Sequence, residues 1–232
     1  MILLYLVAKV EAFSAGGSLK DRIAYRMILQ AEAEGVLNRG KSIIVEPTSG
    51  NTGVGLCLCA ARLGYKVIIT LPEKMSLEKE RTMLSLGAEI IRTPTDAPSE
   101  SPHSNIGVAK KIVTEVEDAV MLDQYSNLNN ALAHEFGTAL EIIDDLRTSY
   151  GDNSIVDVLI AGCGTGGTIT GLSRGLRKHN KKTRNHNSFR DNLFVVGVDP
   201  VGSTLALPSE LNELKDDQSS SYAIEGNIHY LH

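Results

Sequence analysis

One lysine, Lys20, stands where an amine could do covalent chemistry. It follows a diglycine and lies between Ser18 and Asp21, whose Ser-x-x-Asp spacing predicts a helix N-cap with an acidic residue in the first turn. Apolar residues then recur at helical spacing as far as a capping glycine, Gly35. The dipole at a helix N-terminus opposes a cation by about 0.3–1 kcal/mol, so a lysine held there favours the neutral form that imine formation requires. A lone lysine is more often a solvated surface residue, and the neighbouring motifs decide between the two interpretations.

Two glycine-rich segments are typical of anion-binding turns. The first, EPTSGNTG at residues 46–53, joins a short β-branched strand to an apolar helical stretch. The second, at residues 162–168, follows a strand expected over 156–161 and opens another helix. Backbone N–H and hydroxyl donors at such junctions bind phosphate or carboxylate groups. An amine, a phosphate site and a carboxylate site together form the set that pyridoxal phosphate carrying an amino acid needs.

Three segments carry a family resemblance: GGSLKDR at 16–22, EPTSGNTG at 46–53 and GTGGT at 164–168. In this order they resemble the β-family of pyridoxal-phosphate enzymes, the cysteine synthases and cystathionine β-synthases, and the resemblance extends over nearly the whole chain. Cysteine synthases usually show Gln-Gln-Phe where this chain has Asp123-Gln124-Tyr125, which favours the cystathionine β-synthase branch. Further segments favour the same branch, namely those at 92–95, 101–102, 107–109 and 197–200.

The resemblance implies a role for each matched residue. Lys20 would be the Schiff-base lysine and would later act as base on Cα and acid toward the leaving group, with Tyr125 near that group. Asn51 would hydrogen-bond the phenolic oxygen of the cofactor, although it could be an ordinary turn residue, as Tyr125 could be a core aromatic. The substrate carboxylate would be bound by Thr48, Ser49, Thr52 and Gln124, and the cofactor phosphate by Gly164, Thr165, Gly166, Gly167 and Thr168.

The activity implied is that of a pyridoxal-phosphate-dependent lyase, cystathionine β-synthase (EC 4.2.1.22). Such an enzyme condenses L-serine with L-homocysteine to L-cystathionine by β-replacement, in transsulfuration and cysteine biosynthesis. Two alternatives stay open: a cysteine synthase that uses O-acetylserine and sulfide, and a catalytically weak truncated remnant with a folding or interaction role. The glycine loop at 162–166 with Gly197-Val198-Asp199 also resembles nucleoside-cofactor methyltransferases, but that interpretation leaves Lys20 and the segment 48–53 without a role.

Strands and helices alternate along the chain, which predicts α/β architecture with parallel sheets covered by helices on both faces. Strands are expected at 2–8, 42–46, 66–71, 89–92, 120–122, 155–161 and 194–198, and helices at 18–34, 52–63, 76–86, 105–116, 129–147 and 167–178.

By resemblance this is the tryptophan-synthase-β-like fold (fold type II), with two open parallel-sheet lobes. Residues 10–126 would hold the Schiff-base lysine and the carboxylate loop, and residues 127–232, with the strand 1–9, the phosphate loop. The family's Ser or Thr that receives the pyridine nitrogen has no evident counterpart, so the fold is expected to be incomplete, truncated at both ends.

Composition narrows the class of partner. A net charge of −5 argues against nucleic acid, and the one locally basic stretch, residues 178–190, is predicted to be a solvated loop. Three cysteines, an odd number, favour a reducing compartment and a cytoplasmic location. The histidines and cysteines show no metal-ligand spacing, and no apolar run reaches membrane length. Small-molecule amino-acid substrates and a homodimer are expected, without nucleic acid or membrane.

Overall fold

The computed structural model describes residues 5–183 and 193–199. Helices in this part are α1 Lys20–Ala33, α2 Asn51–Leu63, α3 Leu77–Ser85, α4 Asn105–Glu115, α5 Asn129–Ala133, α6 Ala139–Tyr150 and α7 Gly167–Thr183, with a π-helical segment His134–Thr138 between α5 and α6 and a 3-10 turn Glu11–Phe13. Strands are β1 Ile43–Pro47, β2 Lys66–Pro72, β3 Glu89–Thr93, β4 Ala119–Met121, β5 Val158–Gly162 and β6 Phe194–Val198.

The first four strands form one parallel sheet in the order β3-β2-β1-β4. From β1 the chain runs through β2 to β3 on one side and then returns to place β4 on the other side. The strand order therefore reverses between β1 and β4. In open parallel sheets such a reversal leaves a crevice at the carboxyl ends of the two strands, because their following loops diverge. This topology positions the candidate site.

Strands β5 and β6 form a second parallel sheet. An apolar cluster that contains Leu159, Leu172 and Leu176 lies between this sheet and helices α6 and α7. A larger cluster packs α1, α2 and α3 with the four-stranded sheet. The expected α/β architecture with parallel sheets is confirmed. The division into lobes at residue 126 stays a prediction. Ala133 of α5, which follows that boundary, packs in the larger cluster with the first sheet.

The amino-terminal strand expected over residues 2–8 is wrong for its described part. Residues 1–4 lie outside the described chain, and the residues that follow have no strand partner within it. Side chains attach this segment instead: Tyr5 packs on Tyr150 with ring centroids 5.1 Å apart, and Lys9 pairs with two carboxylates of α6. The continuous apolar run at residues 1–8 predicted a buried strand, but Tyr5 is 63% exposed.

The basic stretch expected as a loop over 178–190 is helical at its start. Helix α7 continues to Thr183 because His179 and Asn180 are buried and bond the segment that precedes β5. Residues 184–190 lie outside the described chain. Among the residues that the structure describes, no helix is long and apolar enough to cross a membrane.

Candidate active site

A cleft opens at the carboxyl ends of β1 and β4, where the strand order reverses. Its lining comes from the start of α1, the loops after β1 and β4, the start of α4 and the loop before α7: Lys20, the six residues 47–52, Asn105, Gln124, Tyr125 and Thr165. Segments more than a hundred residues apart in sequence therefore meet around one space.

Lys20 is the first residue of α1 and so lies in its first turn, as predicted, but the N-cap is Leu19 rather than the expected Ser18. The capping differs in detail, since Ser18 Oγ accepts a hydrogen bond from the Lys20 amide at 3.2 Å, whereas Asp21 accepts from the Gly16 amide at 2.6 Å. The Lys20 side chain forms no ion pair with a carboxylate among the described residues. Its pKa is lowered by burial of the amine, a cause that the sequence pattern did not indicate, and the contribution expected of the helix dipole stays a prediction. A neutral amine is thereby favoured.

The loop after β1 presents hydroxyl donors to the cleft. Thr48, Ser49 and Thr52 are buried, and α2 begins at Asn51. The Thr52 hydroxyl donates to Oε1 of Gln124 at 2.7 Å, which ties the loop after β1 to the loop after β4. Free N–H groups at a helix N-terminus, together with these hydroxyls, suit a carboxylate.

Glu46 anchors the loop after β4 from within the core. Its side chain is fully buried, and its two carboxylate oxygens accept separate backbone N–H bonds at 3.0 Å, one from Asp123 and one from Gln124. Asp123 adopts a left-handed conformation with φ of 53°. Burial raises the Glu46 pKa to about 7, because loss of hydration outweighs the two N–H bonds. The backbone that carries Gln124 and Tyr125 is thus fixed by a side chain of β1.

The glycine-rich loop before α7 contributes Thr165 to the cleft. The φ of 80° at Gly166 turns the chain into the helix in a conformation that favours glycine. The Thr165 hydroxyl accepts from Nδ2 of Asn130 at 2.8 Å, and the Thr168 hydroxyl lies 3.2 Å from Nε2 of His134. Both hydroxyls of the expected phosphate loop are thus held by one helical segment.

That segment contains the π-helical turn, which the sequence pattern, typical of one uninterrupted helix over 129–147, did not reveal. His134 opens the turn, is 1% exposed, and also lies 3.0 Å from the Thr138 hydroxyl through Nδ1. Its pKa is lowered to about 4, first by burial and then by the nearby cations Lys20 and Arg22. A π-turn inside an α-helix is frequent at functional sites.

Eight of the residues predicted from sequence meet in the cleft: Lys20, Thr48, Ser49, Asn51, Thr52, Gln124, Tyr125 and Thr165. Gly164 and Gly166 belong to the same loop as Thr165, and Gly167 and Thr168 begin α7, but these four residues do not line the cleft.

Sequence reasoning missed Asn105, Glu46, Asn130 and His134. A carboxylate inside the apolar strand IIVEP was a signal for Glu46, and the asparagine-rich run at 127–130 was a signal for Asn130.

The donor set fits pyridoxal phosphate. Lys20 offers a half-buried amine without a carboxylate partner among the described residues, the loop after β1 offers donors for a carboxylate, and the loop before α7 offers donors for a phosphate. No group of three or more His, Cys, Asp or Glu side chains in the described part of the chain is placed to hold a metal ion.

Comparison with protein families matches residues 4–227 to the family described as pyridoxal-phosphate dependent enzyme. This chain belongs to that family. The expected family and its cofactor are therefore confirmed at the level of the family.

Curated relatives refine the comparison. The chain is 50% identical over 221 residues to a cystathionine β-synthase of Dictyostelium discoideum, covering 95% of this chain and 40% of the relative. It is 49% identical to the cystathionine β-synthase of Saccharomyces cerevisiae, covering 95% of this chain and 41% of that protein. A cysteine synthase of a Flavobacterium strain is 40% identical, covering 83% of this chain and 56% of that protein. The chain thus spans about two fifths of the length of these cystathionine β-synthases.

A solved structure confirms the fold. The crystal structure of a hydrogen sulfide-producing enzyme from Fusobacterium nucleatum superposes with a TM-score of 0.65 at 34% identity. The match covers 73% of this chain and 52% of that chain.

Proposed function

We propose that this chain catalyses pyridoxal-phosphate-dependent β-replacement, condensing L-serine with L-homocysteine to L-cystathionine. The observation that carries the proposal is the meeting of Lys20, the carboxylate loop and Thr165 in one cleft. Identity of about half to two cystathionine β-synthases supports the choice of substrates. The family and the three free cysteines further support a cytoplasmic homodimer acting on small amino acids.

Each side of the cleft has a proposed task. Lys20 would hold the cofactor covalently, and Asn51 would donate to its phenolic oxygen. The hydroxyls of Thr48, Ser49 and Thr52, with the Gln124 amide, would bind the substrate carboxylate. The loop before α7 would bind the phosphate, through the backbone of Gly164, Gly166 and Gly167 and the hydroxyls of Thr165 and Thr168.

Bound pyridoxal phosphate supplies a conjugated ring that withdraws electron density from Cα of an amino acid. Lys20, once the amino group of serine has displaced it from the cofactor, would take the Cα proton of serine as a base, which the lowering of its pKa by burial favours. The protonated amine then delivers a proton to the β-hydroxyl, which leaves as water, with Tyr125 beside it. The Cβ–O bond breaks, a Cβ–S bond to homocysteine forms, and the proton that the thiol gives up is returned to Cα by the Lys20 amine. The buried carboxylate loop keeps the substrate oriented through both bond changes.

The test is cofactor binding and turnover in a lysine variant. A covalently bound cofactor gives a visible absorption band, and we expect Lys20→Ala to lose this band and the production of cystathionine from serine and homocysteine. Lys110→Ala, which removes an exposed lysine of α4, should keep both. Full turnover in Lys20→Ala would contradict the proposal, and so would a wild-type chain that shows no band with excess pyridoxal phosphate.

Cysteine synthase is the second candidate function, favoured by the 40% identity to the Flavobacterium enzyme. The two activities share the chemistry at Cα and differ in leaving group and thiol. A higher kcat/KM for O-acetylserine with sulfide than for serine with homocysteine would favour this second candidate.

A further inference from the structure

Asn130, near the start of α5, lies where the two halves of the cleft meet. Helix α5 packs against both α1, which carries Lys20, and α7, which the glycine-rich loop opens. The side chain of Asn130 is 4% exposed, and its Nδ2 donates two hydrogen bonds. One goes to the backbone carbonyl of Gln124 at 2.8 Å and the other to the Thr165 hydroxyl at 2.8 Å.

The two bonds of Asn130 join segments with different proposed ligands. Gln124 is a proposed ligand of the amino-acid carboxylate and accepts a hydrogen bond from Thr52, whereas Thr165 belongs to the proposed phosphate loop. A continuous run of hydrogen bonds therefore passes from Thr52 through Gln124 and Asn130 to Thr165.

The other atom of this amide shows how closely the phosphate loop is fitted to it. Oδ1 of Asn130 is buried and has no hydrogen-bond partner among the described residues. It points at Gly167, where an added Cβ would stand only 1.9 Å away. A buried amide oxygen without a partner is destabilising, so the site retains this group against a cost. We take this as an indication that the two hydrogen bonds donated by Nδ2 have a function in the site.

We propose that Asn130 is a positioning residue that couples the amino-acid carboxylate side of the cleft to the cofactor phosphate loop. The inference rests on the proposed function for the identity of the two ligands. By donating to both segments from one nitrogen, Asn130 fixes the separation between the backbone of Gln124 and the hydroxyl of Thr165. Loss of its amide should loosen both segments together, although they are 41 residues apart in sequence.

The test uses Asn130→Ala with Asn129→Ala as matched control. Asn129 is the adjacent asparagine of the same helix, and its side chain bonds only locally, to Asn127. The first readout is hydrogen–deuterium exchange of the full chain without cofactor. We expect faster exchange in both segments 123–126 and 163–167 for Asn130→Ala, and an unchanged pattern for Asn129→Ala.

The second readout is the dissociation constant of pyridoxal phosphate, measured by absorbance titration. A lost neutral hydrogen bond predicts about 3- to 10-fold weaker binding for Asn130→Ala. Thr165→Val removes the acceptor of this bond. The combined variant Asn130→Ala with Thr165→Val should therefore lose much less affinity for pyridoxal phosphate than the product of the two single fold-losses. The KM for the amino acid should also rise in Asn130→Ala.

Three results would overturn the coupling. They are exchange that rises in one segment alone, strictly multiplicative losses in the double variant, and a dissociation constant for Asn130→Ala equal to that of Asn129→Ala. A wild-type chain that fails to bind pyridoxal phosphate would refute the proposed function instead. The exchange measurement, made without cofactor, would still show whether Asn130 couples the two segments. If Asn130→Ala does not fold, the comparison is made between Thr165→Val and Thr165→Ser, since serine keeps the hydroxyl acceptor. Faster exchange of residues 123–126 in Thr165→Val alone would support the coupling, and equal exchange in the two variants would contradict it.

Discussion

The buried carboxyl group of Glu46 gives this chain a pH dependence that one substitution can expose. Burial raises its pKa from an ordinary 4.5 to about 7. Between these values the folded chain still holds a proton that the unfolded chain has lost, so the stability falls as pH rises through this window and is level above it. The total loss is on the order of 3 kcal/mol.

Glu46→Gln removes this titration while nearly keeping the shape. Below pH 4.5 the two proteins should differ by a constant amount, because a protonated carboxyl can still accept at both oxygens, whereas the amide of the variant accepts at one atom and leaves one of the two backbone N–H groups without an acceptor. Relative to that difference, the glutamine variant should gain on the order of 3 kcal/mol over wild type as pH rises from 4.5 to about 7. Urea unfolding across this range measures the difference, and all other titrating groups cancel between the two proteins.

Glu89→Gln, at the exposed start of β3, is the control for the Glu-to-Gln exchange itself and should change the free energy of unfolding by about 0.5 kcal/mol or less. The reasoning would be refuted if the difference in free energy of unfolding between Glu46→Gln and wild type did not vary with pH. Glu46 would then not titrate in the proposed window. Wild type alone is uninformative, since His134 opposes the slope.

Three further predictions follow from the packing. His134 has its pKa lowered from 6.5 to about 4, so the free energy of unfolding of wild type relative to His134→Gln should rise by on the order of 3 kcal/mol as pH increases between these values, as measured by urea unfolding. Gly171→Ala should lower the free energy of unfolding by about 1–3 kcal/mol, because the added Cβ would lie 2.1 Å from a backbone carbonyl oxygen of α5. Gly137→Ala, with open space around the added Cβ, should not lower it. Equal effects of the two substitutions in urea unfolding would contradict the packing argument. Arg22→Met should cost about 1–2 kcal/mol and loosen the amino-terminal segment in hydrogen exchange, because this guanidinium bonds carboxylates both there and on α6, whereas the exposed Lys110→Met should do neither.

Much of the site could be predicted from the sequence because its parts are local. Lys20 begins its helix, and the loops at 46–53 and 162–168 each join a strand to a helix, as glycine and hydroxyl spacing indicated. Such turns depend on residues within a few positions of one another, so a short stretch of sequence specifies them. The strand–helix alternation likewise specified the parallel sheets, because parallel neighbours require a crossover helix.

Other features depend on contacts between distant residues. Glu46 bonds the backbone of Gln124 across 78 positions of sequence, and Asn130 bonds Thr165 across 35. Neither pairing has a local pattern, because it arises only when the strand order places β4 beside β1 and α5 beside α7.

The state of the lysine shows the same division. Residue type and spacing determined that Lys20 stands at the start of a helix, and from this the sequence suggested that the helix dipole lowers its pKa. Only the tertiary structure shows that burial lowers this pKa, because the lysine lies in a cleft lined by four other segments of the chain. The sequence by itself determined which groups can do the chemistry, and the tertiary structure decided their separations, their burial and therefore their charge.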